Sequence, residues 1–180
     1  MNRSILKLAF AATLLAAPAL GAQADEKSDY RLYVGTVADK PDEFVGVAVL
    51  GQDATIYICD GQPDKGKVRI AEWFIGKVAD NKIEQTGKTG NKVEAVLTDA
   101  SAEGHFTFKD GLIKQFTLAK GEETTALYRA EFAFDSQHYV GGWLVLADGS
   151  VRGAVLHVEK HKLVPAGLDA YPAVIAPKKP

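Results

Sequence analysis

The sequence predicts an all-β protein: an antiparallel meander forming a closed or partly closed β-barrel, with a two-sheet β-sandwich as the alternative. Three observations point there. From Tyr30 onward, short runs rich in Val, Ile, Thr, Tyr and Phe follow one another, separated by Gly, Asp, Asn or Pro. Beyond the first residues, no window of helical length carries an apolar i, i+3, i+4, i+7 stripe with a capping residue ahead of it. Several runs alternate: Phe106 and Phe108 oppose His105 and Thr107, and Lys114, Phe116 and Leu118 oppose Ile113, Gln115, Thr117 and Ala119. Such a strand has one buried face and one wet face.

The N-terminus is expected to be a signal peptide. Arg3 and Lys7 precede an uncharged apolar run of 13 residues, Leu8 to Leu20, and Ala22-Gln23-Ala24 then meets acidic residues. That is the layout of a secretory signal, with cleavage after Ala24. The run is short of the roughly 20 residues a membrane helix needs, so no membrane span is expected after cleavage. The junction has no cysteine to acylate. A periplasmic or secreted location follows as the expectation, with one β-domain over residues 25–164 and a tail over 165–180.

The predicted strands are Arg31 to Val37, Phe44 to Leu50, Ala54 to Asp60, Val68 to Val78, Lys82 to Thr86, Lys92 to Thr98, Gly104 to Phe108, Leu112 to Ala119, Thr125 to Phe134, His138 to Leu146 and Ser150 to Val158. Asp110-Gly111 and Asp148-Gly149 read as two-residue type I′ hairpin turns, whose central residues need positive φ. Gly51-Gln52-Asp53, Asp80-Asn81 and Lys88-Thr89-Gly90-Asn91 read as slightly longer loops. Tight turns make neighbouring strands antiparallel. About eleven strands in one open sheet would leave long unpaired edges, which closure removes. After Val164, "PAGLDAYPAVIAPKKP" holds four of the seven prolines, so it is expected to lie extended outside any sheet interior.

Charge narrows the partners. Without Arg3 and Lys7, 19 basic residues face 23 acidic ones, leaving the mature chain about four units negative. A mildly acidic, mixed surface is no footprint for nucleic acid. The chain has one cysteine, so no disulfide can form within it.

That cysteine, Cys59, ends the run "TIYICDG" on the same side as Thr55 and Tyr57, with Ile56 and Ile58 opposite. Its neighbour Asp60 disfavours a thiolate, so packing is the expected role ahead of ligand contact or nucleophilic chemistry. In "HVEKH", His157, Glu159 and His161 would share one face of a strand. The two histidines would then stand about 13 Å apart, too far for one metal ion. "TGKTGNK" echoes a phosphate loop but has Lys82 where that motif needs glycine, and reads as a hairpin loop. Among the aromatics, Tyr57, Trp73 and Trp143, with Cys59, are the candidates to line a ligand cavity, and Gly141-Gly142 would let a ligand approach the backbone.

Tyr57-Ile58-Cys59-Asp60-Gly61, Glu72-Trp73-Phe74-x-Gly76, the x-Gly-x-Phe-x-Phe hairpin, Leu127-Tyr128-Arg129 and Gly142-Trp143-x-Val145-Leu146-x-Asp148-Gly149 occur in that order. From Tyr30 to Val158 the chain resembles a group of uncharacterised exported bacterial β-domains. The resemblance implies a shared architecture and carries no activity. The functional expectation is a non-enzymatic domain of the cell envelope that binds a small apolar ligand and takes no cofactor. The alternatives are a structural or protein-interaction module partnering an envelope protein, and a cysteine- or metal-dependent enzyme.

Overall fold

The structure, a computed structural model, describes residues 29–168. The expected signal peptide, and all of the tail after residue 168, lie outside the described residues. Eight antiparallel strands close a barrel: β1 (Tyr30–Val37), β2 (Lys40–Leu50), β3 (Asp53–Cys59), β4 (Ala71–Ala79), β5 (Lys82–Thr86), β6 (Lys92–Leu97), β7 (Ser101–Thr107) and β8 (Ile113–Lys120). Each pairs with the next, and β8 returns to β1 with Gly35 opposite Leu118. The remaining strands, β9 (Ala126–Phe134), β10 (Gln137–Val145), β11 (Val151–His157) and β12 (Lys162–Pro165), form a second sheet in the order β12-β11-β10-β9.

The meander is therefore not one barrel of about eleven strands. Once β8 has paired with β1 the barrel has no edge to offer, and β9 must begin a new sheet. The new sheet packs on the barrel's outer surface. Alternation separates the two cores: Val45, Val47, Val49, Ile56, Ile58 and Phe74 fill the barrel with Phe106, Phe116 and Leu118. The residues that alternate with them, Ala48, Tyr57 and Cys59, point outward and meet Leu127, Leu144 and Ala154 of the sheet. Burying each large apolar side chain contributes about 1.5–3 kcal/mol, and this burial lets the barrel close without a disulfide.

Glycines set how closely the two bodies approach. A Cβ on Gly46 of β2 would lie 2.8 Å from Leu144, and one on Gly142 of β10 would lie 2.5 Å from the Tyr57 ring. Tyr57 also donates its hydroxyl to the Gly142 carbonyl at 3.2 Å, and Gly153 N–H donates to the Gly61 carbonyl at 3.1 Å.

Several local expectations are corrected. The strand expected from Val68 begins at Ala71, because Asp60 captures the preceding backbone: its Oδ1 accepts from Arg69 N–H at 2.7 Å and Ile70 N–H at 2.9 Å. At the two Asp-Gly turns only the glycine has positive φ, Gly111 at 85° and Gly149 at 79°. Gly111 N–H bonds to Phe108 O while Phe108 N–H bonds to Leu112 O, making three-residue loops with a bulge in place of type I′ turns. The two-residue turns with both φ positive are Asp80-Asn81 and Asp135-Ser136.

At the far end, β12 was not expected as a strand. Pro165 closes it, where an edge strand tolerates the missing donor, so the tail's first residue belongs to the sheet. Residues 158–161 are consequently a turn, with His161 at φ 49°, and His157, Glu159 and His161 do not share a strand face.

Candidate functional site

Of the four residues expected at a ligand site, the structure brings together Tyr57 and Trp73, and not inside the barrel, whose interior is filled. Tyr57 on β3 and Trp73 on β4 are cross-strand partners on the barrel's outer face, with rings stacked 4.2 Å apart at 25°. Cys59 lies on the same face but is sealed in the interface with the second sheet. Burial pushes its thiol up to about 11, outweighing the hydrogen bonds it makes with Tyr57 and the Gly61 N–H. A thiol so placed is not an activated nucleophile.

Trp143 is elsewhere. Its neighbours in sequence, Gly142 and Leu144, face the barrel, so strand alternation turns Trp143 to the sheet's opposite side, fully buried among Ala130, Val155 and Ala166. The offset of one residue decides this, since the period of a strand is two.

The stack borders a crevice of about 240 Å³ between barrel and sheet, walled by Ile75, Val140, Ala154 and Leu156, with Arg129, Lys88 and Glu72 as its charged residues. Its origin is a split in the barrel wall. β4 and β5 pair only at Val78 with Ile83 and Ala79 with Lys82 before they diverge. Side chains bridge the opening. Thr89 donates its hydroxyl to Glu72 Oε1, Asn91 Nδ2 donates to Glu72 Oε2 at 2.7 Å, and Gln85 occupies the space a Cβ on Gly76 would need. The "TGKTGNK" segment is thus the β5–β6 loop and works as a clasp on Glu72. It holds no phosphate-binding geometry, since strand and not helix follows it.

The crevice shares Ala71, Glu72 and Thr89 with a larger cavity of about 890 Å³ at the barrel mouth. There the inward-facing positions change from apolar to polar. Glu43 continues the Val45 row of β2, Asp60 the Ile58 row of β3, Glu72 the Phe74 row of β4 and Lys114 the Phe116 row of β8. Each carboxylate is buried and engaged: Lys114 Nζ donates to Glu43 at 2.6 Å, Arg69 Nε donates to Asp60 at 3.1 Å, and Glu72 is held by the clasp. These residues are legible as a set only once the inward rows are aligned in register, because each alone resembles a surface charge.

The "HVEKH" residues serve the β11–β12 turn. His157 Nδ1 accepts from Lys160 N–H at 3.0 Å, so its Nε2 carries the proton donated to Gln137. Glu159 accepts from His138, whose ring bond at 2.7 Å draws the carboxyl down to about 2. Among the described residues no group of three or more His, Cys, Asp or Glu is placed to hold a metal ion. The described chain is a β-barrel domain without an evident metal- or cysteine-based active centre. Comparison with protein-family models, with curated proteins and with solved structures finds no match.

Proposed function

We propose that this protein is an exported, non-catalytic binding module that holds a small ligand with a flat apolar body in the crevice beside Trp73. One observation carries the reading: the Tyr57–Trp73 stack borders a crevice opened by the β4–β5 split, while Phe74, Phe106 and Phe116 are consumed in filling the barrel. An aromatic wall next to a few polar groups is the usual make-up of a small-molecule site, and 240 Å³ suits a ligand below the roughly 300–1,000 Å³ of drug-sized pockets. Neither the crevice nor the mouth is lined by a serine, cysteine or histidine. The Arg3 and Lys7 region, the apolar run and Ala22-Gln23-Ala24 support export.

Trp73 is the reporter. The chain has two tryptophans, so the mature protein should show two indole N–H resonances, and the one lost in Trp73→Phe belongs to the crevice. A panel of small aromatic and aliphatic compounds should include members that shift it and leave the Trp143 signal in place. Trp73→Ala should weaken their binding by about tenfold or more, as loss of a central aromatic contact does. A broad panel that leaves the Trp73 signal unmoved would overturn the proposal.

A further inference from the structure

We infer that the crevice selects a small carboxylate, with Arg129 as the group that recognises the acid; this rests on the binding reading above. Arg129 projects from β9 on the face that carries Leu127 to the barrel, and its guanidinium stands 5.7 Å from the centre of the Trp73 ring. One Nη donates to Glu131, which sits two residues along the same strand face and is half exposed. The Nε is different: it is buried and has no hydrogen-bond partner among the described residues.

A buried donor left unpaired costs about 1–3 kcal/mol, more on a charged group. The walls near it, Val140, Ala154 and Leu156, offer no side-chain acceptor. A ligand oxygen that met the guanidinium from the crevice side would supply one, and a charged oxygen would supply it best.

The other charges in the crevice agree. Lys88 adds a second cation from the β5–β6 loop, and the one carboxylate, Glu72, has both oxygens taken by Thr89 and Asn91. The clasp already engages that carboxylate, so the two cations dominate what the crevice offers a charged ligand. An apolar body against Trp73 and an acid on a short stem toward the Arg129 guanidinium together describe a small aryl or alkyl carboxylate.

Phenylacetate and its neutral isostere phenylacetamide test this, titrated against the mature protein while the Trp73 indole resonance is followed. Phenylacetate should bind about tenfold more tightly, the scale of one hydrogen bond to a charged group. Arg129→Gln should bring the two affinities to within about twofold, with the larger loss falling on the acid and the Trp143 resonance showing that the variant is folded. Arg129→Lys, which keeps a charge but lacks the Nε donor, should cut the preference by about threefold or more and serves if the glutamine variant fails to fold. Equal binding of acid and amide by the native protein, or a preference that survives both substitutions, overturns the carboxylate inference and leaves ligand binding standing. If neither compound nor the wider panel moves Trp73, the binding proposal falls with it.

Discussion

Cys59 shows how much one position owes to its surroundings. Alternation along "TIYICDG" places Tyr57 and Cys59 on one face, and the structure keeps them there, but that face proves to be the contact with a second sheet and not the barrel interior. A period of two tells which residues share a side; it does not tell what covers that side. Trp143 shows the same limit, since alternation puts it on the sheet face away from the barrel, among Ala130, Val155 and Ala166. Burial lifts the Cys59 thiol from 9.0 to about 11, so the folded chain holds this proton more tightly than the unfolded chain does. Its contribution to stability is complete below pH 9 and is lost as the pH rises through 11, a swing on the order of 2–3 kcal/mol. Burial raises the Tyr57 hydroxyl in the same direction. Cys59→Ala should therefore flatten part of the alkaline fall in unfolding free energy, leaving the Tyr57 share. At neutral pH the native thiol should react with a disulfide reagent far more slowly than in guanidinium chloride. Equal rates in the two solvents would show that Cys59 is exposed.

Among the strands, β4 and β5 are the pair on which closure is weakest. Two residue pairs join them, whereas β3 and β4 are in register from Asp53–Lys77 to Cys59–Ala71. The rest of the junction depends on the Glu72 clasp. Asn91 is central to it, donating to Glu72 at 2.7 Å and accepting from Lys109 N–H at 3.0 Å. Asn91→Ala should cost about 2 kcal/mol in denaturant unfolding, since it strips a donor from a buried carboxylate. The local readout is hydrogen exchange: amides of β5 should lose protection in this variant more than those of β2 and β3, and even in the native chain should exchange faster. Uniform protection around the barrel would refute the split as a weak junction. The strands themselves were legible because Val, Ile and Phe alternate in nearly all of them. The exceptions have physical reasons. Val68 to Ile70 reads as strand but is diverted by Asp60, and β12 hides behind Pro165, which edge position tolerates.

The molecule as a whole is two β-bodies meeting on small residues. The closed barrel was legible in the sequence, but its closure after eight strands was not, because that is set by β1 reaching β8 across some eighty residues, and no local pattern encodes the pairing. The consequence is thermodynamic. The barrel closes on itself without β9 to β12, and the side chains of its interior are distinct from those of the interface. The sheet, in contrast, has four strands and relies on the barrel to cover its Leu127, Leu144 and Ala154 face. Gly142 is the tightest contact between the two, with a Cβ there 2.5 Å from Tyr57 and 2.7 Å from Trp73, two rings already stacked against each other. Gly142→Val has no room, and overpacking of this kind typically costs about 1–3 kcal/mol or more. Because the strain falls on the interface alone, the variant should lose the sheet before the barrel. In a denaturant titration the Trp143 environment should collapse at a lower midpoint than the methyl signals of Val47, Ile56 and Leu118. The native chain should show one coincident transition. If Gly142→Val lowers both midpoints together, the sheet and barrel fold as one cooperative body and the interface is part of the barrel's own stability.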